Sequence, residues 1–364
     1  MKARAIAIYL PQFHPVPEND EWWGKGFTEW TNVVQAKPLF AGHYQPHLPA
    51  DLGFYDLRLP EARRAQADLA RKYGIYGFCY YHYWFNGKRM LERPFDEVLA
   101  SGEPDFPFCL CWANEDWTRV WYGQDAEILL KQEYAEADDL AHIRWLVRAF
   151  RDRRYIRIDD KPVFLVYNAT NLPDPRRTTA IWREEARRLG IGDLYLCKVE
   201  SNLDRPGDPT KLGFDAAVEF QPDRAACGPP LRRGGLWRVI WSAAHHLGFS
   251  NNINSIYDYP TVVEKMLRRP APPYKRFPSV MPSWDNTPRR KRGASIFKNA
   301  TPEAYERWLR GVIEKFTPYS PEENLIFINA WNEWAEGNHL EPCQKWGLKY
   351  LEATQRALTG PREG

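Results

Sequence analysis

Eight short apolar runs recur along this chain, at residues 5–13, 75–84, 106–114, 163–168, 194–200, 216–221, 279–286 and 325–333. Continuous apolar character marks strands covered on both faces, as in a parallel sheet flanked by helices. Helical patterns lie between them. Residues 60–73 read PEARRAQADLARKY and stop at Gly74, and residues 176–189 stop at Gly190. Residues 137–150 place Leu140, Ile143, Leu146, Val147 and Phe150 on one face. Residues 301–316 open with Thr301 as a cap and Pro302 in the first turn, and align Tyr305, Leu309, Val312 and Phe316 as a core stripe. A final helix over residues 345–358 closes the ring. Strand–helix units without a break in composition predict the α/β class and a single (β/α)8 TIM barrel over residues 1–364. The extra length falls in two loops, 14–58 after the first strand and 222–258 after the sixth.

Charge and cysteine content narrow the partners. A formal charge of +3 over 364 residues speaks against a nucleic-acid binder or a polybasic membrane protein. The six cysteines, Cys79, Cys109, Cys111, Cys197, Cys227 and Cys343, fall mostly inside apolar runs and have no compact His/Cys cluster beside them. They read as reduced structural thiols, with neither a disulfide nor a metal site expected. The opening MKARAIAIYLPQF reads as a first strand and not a signal peptide, and no run approaches transmembrane length. A soluble, cytoplasmic protein without cofactor is the expectation. Nothing in the sequence fixes an oligomeric state.

In a barrel, chemistry happens at the carboxyl ends of the strands. Polar and aromatic residues gather at those ends here. The first strand offers Gln12 and His14, the second Tyr81, His82, Tyr83, Trp84 and Asn86, and the third Trp112, Asn114, Glu115 and Trp117. Glu200, Glu219 and Gln221 end the fifth and sixth. Trp284 and Asp285 follow in SWDNTPR, and the eighth strand runs into NAWNEWAEGNHLEP, residues 329–342. With 15% aromatic residues, 16 of them Trp, the chain has rings to stack on sugar faces, if they do not simply fill the core. Amides and carboxyls would hold hydroxyls. Glu333 and Glu336, three residues apart, could divide acid and base work at a glycosidic bond. The bland alternative is that one caps the next helix or pairs with a base such as Arg290.

Several of these stretches together resemble a known family. YLPQFHPVPENDEWWGKGFTEWTNV, GFCYYHYWFNGKRMLE, CWANEDWT, WDNTPR and NAWNEWAEGNHLEP look like the WbsX family of bacterial polysaccharide-cluster proteins, also described as a glycoside hydrolase family 99-like domain. The likeness runs from Ile6 to Pro342. The last stretch also resembles the N-E-W-x-E-G-x-x-[IL]-E-P signature of family 99 endo-α-mannosidases and mannanases. That resemblance implies a metal-free barrel and a retaining reaction through a 1,2-anhydro sugar. Glu333 would deprotonate the substrate's 2-hydroxyl, and Glu336 would protonate the leaving oxygen. Asn332 and Glu333 keep the signature, whereas Ala335 stands where those hydrolases usually have His; Asn332 and Trp334 are counted among the substrate-binding candidates. The strand-one and strand-seven stretches resemble the WbsX branch, so mannose specificity does not carry over. Glu341 matches too, with a structural role at least as plausible as a chemical one.

Other residues are candidates of a lesser kind. Trp30 joins the substrate-binding set, and Glu29, His43 and His47 in the first long loop could roof the cleft. Asp285 could hold a sugar hydroxyl or an arginine. Glu115 could equally pair with Arg119. The basic run PRRKRG, residues 288–293, is either solvated surface or a contact for a phosphate or an acidic glycan.

Three functions remain open on these residues. A retaining glycoside hydrolase or transglycosidase acting on an α-linked bacterial polysaccharide comes first. A glycosyltransferase of O-antigen or capsule assembly comes second, although the chain shows no glycine-rich phosphate loop, D-x-D or Rossmann pattern. A non-catalytic carbohydrate-binding barrel comes third. The enzymatic readings require the side chains of Glu333 and Glu336 to project together into an open, ring-lined hollow, with neither acid locked in an ion pair beneath the surface.

Overall fold

The computed structural model of the chain describes residues 3–119, 127–202, 204, 206–231, 254–290 and 292–360. Its centre is a ring of parallel strands: β1 Arg4–Tyr9, β2 Ile75–Phe85, β3 Phe108–Trp112, β4 Lys161–Val166, β5 Tyr195–Glu200 and β6 Ala216–Glu219. β7 comes in two pieces, Arg276–Phe277 and Ser279–Val280, and β8 is Leu325–Ile328. Each strand pairs with the next in sequence, and β1 returns to β8 with Ala5 opposite Ile326.

The closure between β6 and β8 is unusual. The first piece of β7 pairs with β6, Val218 opposite Phe277, and the second pairs with β8, Val280 opposite Ile328. Pro278 separates them because it has no N–H to offer a ladder. Its carbonyl still accepts a hydrogen bond from the Phe327 amide at 2.9 Å. Nine strand segments thus make a nearly closed (β/α)8 barrel.

Helices cover the outside: α1 Pro60–Lys72, α2 Arg93–Ser101, α3 Glu136–Phe150, α4 Pro175–Arg188, α5 Tyr259–Arg268, α6 Pro302–Lys315 and α7 Lys349–Thr359. Starts follow the expected chemistry. Thr301 accepts a hydrogen bond from the Ala304 amide, Asp174 from Arg177 and Asp258 from Thr261. The fifth crossover differs from the regular pattern: between β5 and β6 the described residues hold only the 3-10 turn Pro209–Leu212.

All eight expected strands are present with shifted ends. β1 stops before Pro11, and β7 begins earlier and ends at Val280, leaving residues 281–286 as loop. The long first loop folds into two short helices, Pro17–Trp23 and Glu29–Gln35. Most of the expected 222–258 loop, residues 232–253, lies outside the described residues. No described helix is long and apolar enough to cross a membrane.

Strand period puts alternate residues inside and outside the barrel. Cys79, Cys109, Cys111 and Cys197 lie together, with the thiols of Cys109 and Cys111 both within hydrogen-bonding reach of that of Cys79. All six cysteines are buried free thiols. Gly77 sits on the same face of β2 as Cys79. A Cβ there would stand 2.6 Å from the Pro107 carbonyl oxygen and 2.9 Å from Ile156 Cδ1. Backbone cannot swing aside as a long side chain does. Gly77→Ala is therefore expected to cost about 1–3 kcal/mol through overpacking. A urea melt should show a lower midpoint at unchanged slope, and an unchanged midpoint would mean the strand yields freely.

Candidate active site

The stretch after β8 turns back on itself. Residues Asn332–Glu333 pair antiparallel with Asn338–His339, and the 3-10 turn Trp334–Glu336 joins them. Gly337 holds a left-handed conformation at φ 56°, where a Cβ would stand 3.1 Å from that of Asp285. The close approach lets the Asp285 amide donate to the Glu336 carbonyl at 2.6 Å.

Alternate residues of the stretch hold it in place. Asn332 accepts from the Leu10 amide at 2.8 Å and donates to the Leu10 carbonyl at 3.0 Å, tying the hairpin to the end of β1. The Trp334 ring stacks on His339 with centroids 3.8 Å apart, and its Nε1 donates to Glu341 at 2.6 Å. Glu341 also accepts from Tyr55 and Gln66 at 2.8 and 2.6 Å. Burial pushes this carboxyl up to about 7 despite those donors. It is a structural anchor.

Glu333 and Glu336 are left facing a hollow of about 350 Å3. Its walls carry Trp23, Tyr81, Tyr83, Trp117, Tyr167, Phe220 and Trp284, with Gln12, Asn19, Glu115 and Asn286 among the polar groups. A ring-lined cavity of this size can take a sugar residue. The aromatic wealth of the chain is divided between this mouth and a core that buries Trp112, Trp182, Trp308, Trp331 and Trp334.

The acids are not unpaired, as the sequence reading required. Arg289 bridges them: Nη2 lies 2.7 Å from Glu333 Oε2, Nη1 3.0 Å from Glu336 Oε1, and Nη2 3.1 Å from Glu29 Oε2. The partner is Arg289, not Arg290, and it stands on the wall of the same hollow. The two acids expose only 5% and 7% of their surface. One guanidinium cannot neutralise three carboxylates. Burial therefore pushes both Glu333 and Glu336 above the ordinary range; Arg289 draws them back, and the charge of Glu29 adds to the rise. The pair titrates as a unit and keeps a proton where free glutamates would have none.

The remaining expected contacts fall into two groups. Gln12, Tyr83, Glu115, Trp117 and Trp284 line the hollow with the two acids. His82 and Trp84 do not, because they flank Tyr83 on a strand and point to the opposite face. There His82 stacks on Trp145 and meets His142 at 3.0 Å, while Trp84 donates to Asp138 at 2.9 Å. Trp112 likewise faces out, donating to the Trp84 carbonyl at 3.1 Å. Asn114 spends its amide on the Asn168 backbone, accepting and donating at 2.8 Å, and so clasps β3 to β4 as Asn332 clasps β8 to β1.

Further expected ligands are committed elsewhere. Trp30 packs on Phe13, Tyr55 and Trp334, and His14 is buried, with its imidazole lowered to about 4 by burial. Glu219 accepts from the Ser279 amide and pairs with Arg269 and Arg276 in the wall between β6 and β7. Asp285 faces a second cavity of about 290 Å3 on the other side of Gly337, with His43 and His47. Burial opposes its ionisation, but hydrogen bonds from His43 at 2.5 Å and Gln45 at 2.8 Å outweigh that and hold it below the usual range. Of the three residues offered as a roof, Glu29 reaches the hollow and the histidines do not. Tyr81 lines the hollow with Tyr83, two residues on along the strand, and Arg289 and Arg290 reach it from the basic run PRRKRG; Tyr167 and Arg224 were not among the expected residues.

A parallel barrel with an acid-bearing, ring-lined mouth is an architecture that carbohydrate-active enzymes share with many other classes. The chain belongs to the family described as glycosyltransferase WbsX, whose model matches residues 5–354. It is 45% identical over 360 residues to the WxcX proteins of two strains of Xanthomonas campestris pv. campestris, covering 99% of this chain and 50% of each relative. The chain thus spans about half the length of these curated relatives. Among solved structures it resembles a glycoside hydrolase-like protein at TM-score 0.62, with 15% identity and coverage of 98% of this chain and 94% of the other. It also resembles the GH99 endo-α-mannosidase of Bacteroides thetaiotaomicron, at TM-score 0.56, 15% identity and coverage of 98% and 96%. At those identities the likeness is one of fold.

Glu115 offers a direct check on the electrostatics of the mouth. Arg119, its expected partner, pairs instead with Glu127 at 2.7 Å. Burial, and then the charge of Glu336, push the Glu115 carboxyl up to about 7. The unfolded group titrates near about 4.3. Over that window the folded chain holds the extra proton, so the stability linked to this group falls as pH rises through it. Glu115→Gln has nothing to ionise. Its urea midpoint should gain on that of the unaltered protein from pH 5 to pH 8, whereas a constant difference would place Glu115 in water.

Proposed function

We propose that this chain acts on an α-linked bacterial polysaccharide or oligosaccharide as a retaining glycoside hydrolase or transglycosidase, with Glu333 and Glu336 as its acid–base pair. The observation that carries the reading is that both acids open on one ring-lined hollow while sharing a single guanidinium with a third carboxylate. Such an arrangement supplies what glycosidic cleavage needs at neutral pH, one carboxyl that can give a proton beside another that can take one.

In the course implied by the family 99 resemblance, Glu333 takes the proton of the sugar's 2-hydroxyl. That oxygen attacks the anomeric carbon as the glycosidic bond breaks, and Glu336 gives its proton to the departing oxygen. A water or an acceptor hydroxyl then opens the 1,2-anhydro ring, losing its proton to Glu336, while Glu333 returns a proton to O2. Every proton is restored. Substrate assistance of this kind is a recognised exception to the usual two-carboxylate scheme.

Transfer from an activated donor is the second reading, favoured by the description of the family itself. Incubation with α-linked oligosaccharides, with and without UDP- or GDP-sugars, separates the two. Release of a shortened sugar without donor supports the hydrolase, and product that forms only with donor overturns it.

For either enzyme, kcat should fall by about 10²- to 10⁴-fold in Glu336→Gln with sugar binding retained. The rate should follow a bell-shaped pH profile, and Glu333→Gln should remove its acid limb. Full activity in both variants would remove the two glutamates from the chemistry.

A further inference from the structure

The short helix Pro17–Trp23 of the first long loop is tied down by contacts within the chain. Glu18 pairs with Lys88 at 2.8 Å, Asp20 accepts from the Gly26 amide at 2.7 Å, and the Trp22 ring packs edge-on against Trp117 with centroids 5.8 Å apart. Trp117 in turn meets the Tyr83 ring at 5.2 Å. Asn19 and Trp23 are four residues apart and so share one face of the helix. Both stand with Trp117 and Tyr83 on the wall of the hollow that holds Glu333 and Glu336.

Asn19 differs from its neighbours on that helix. It is wholly buried, at 0% exposure, yet neither its Oδ1 nor its Nδ2 has a hydrogen-bond partner among the described residues. Folded chains rarely leave both ends of a buried amide unpaired, because each polar group taken from water without a partner costs stability. Elsewhere in this chain the same side chain is used in full: Asn332 and Asn114 each set their carbonyl against an N–H and their NH2 against a C=O. An acceptor and a donor side by side also fit two adjacent hydroxyls of a pyranose, one donating to Oδ1 and the other accepting from Nδ2. The amide is neutral and so matches an uncharged group. Trp23, Trp117 and Tyr83 supply flat apolar faces for the C–H side of the same sugar.

We propose that Asn19 is a specificity-determining contact of the hollow, which holds adjacent hydroxyls of a neutral sugar residue against the aromatic wall. This rests on the reading that the hollow receives a sugar, and it deepens that reading: the unit recognised is an uncharged pyranose with a vicinal diol. The first long loop then reaches the substrate through one of its two short helices and the acids through the other, where Glu29 meets Arg289 at 3.1 Å.

Ligand-observed NMR titration of the full chain tests the proposal, with methyl α-glucoside, methyl α-mannoside and methyl α-galactoside as probes. Cyclohexanol, a six-membered ring with a single hydroxyl, reports the rings alone. At least one glycoside should bind, and Asn19→Ala should weaken it about tenfold or more, the scale of two hydrogen bonds, while leaving cyclohexanol unaffected. Without sugar, the variant should melt at the same temperature as the unaltered chain or higher, since it removes polar atoms that burial penalises. A lowered melting temperature would make the amide a structural tie and overturn the proposal. So would a glycoside affinity that survives the substitution, or an equal loss for cyclohexanol. Failure of every glycoside to bind the unaltered chain would overturn this inference together with the reading of the hollow as a sugar site, whereas equal binding to chain and variant would remove Asn19 alone. Turnover plays no part in the readout, so an absence of cleavage would count against the acid–base assignment and leave this contact standing.

Discussion

One guanidinium set against three carboxylates governs the mouth of this barrel. Arg289 contacts Glu29, Glu333 and Glu336 together. Burial pushes Glu333 and Glu336 above the ordinary carboxylate range, and the arginine draws them back without balancing them. Partial neutralisation makes the pair usable, since a fully balanced ion pair is inert and an unbalanced one cannot stay charged. The third acid, Glu29, comes from the long first loop, so an insertion that looks dispensable to the fold sets the protonation of residues at the far end of the chain.

The architecture around this charge is stiff for reasons that lie in the backbone. Asn332 and Asn114 each use a side-chain amide as a substitute peptide, bonding both the N–H and the C=O of a neighbouring strand end. Glu341 collects three donors below the turn. Buried polar groups satisfied in this way specify one arrangement of the loops. Only the positions left over, Glu333 and Glu336, face the cavity.

Much of this was legible in the residues. Eight apolar runs marked the strands because buried parallel strands admit little else, and the spacing of Glu333 and Glu336 marked the acids. Where the reading missed, the causes are physical. His82 and Trp84 were grouped with Tyr83 although neighbours on a strand face opposite ways. Asn114, Asn332 and Asp285 have the chemistry of sugar ligands, and nothing in their identity tells whether backbone or histidine reaches them first. Arg289 was hidden in PRRKRG, where adjacent basic residues look alike until a turn aims one of them inward. The fifth crossover has no described helix because the link from β5 to β6 has no periodic apolar stripe to bury.

The interruption of β7 at Pro278 bears on how the charged mouth would respond to change elsewhere. Beyond Val280 the chain leaves the sheet, and the segment that bears Arg289 is moored instead to the hairpin of Glu333 and Glu336, through the Asp285 amide on the Glu336 carbonyl and the close fit at Gly337. Cation and acids are thereby fastened to each other more directly than either is to the outer helices. Drift in the ring of helices over evolutionary time would alter how firmly the barrel holds together while leaving the spacing of its charges alone.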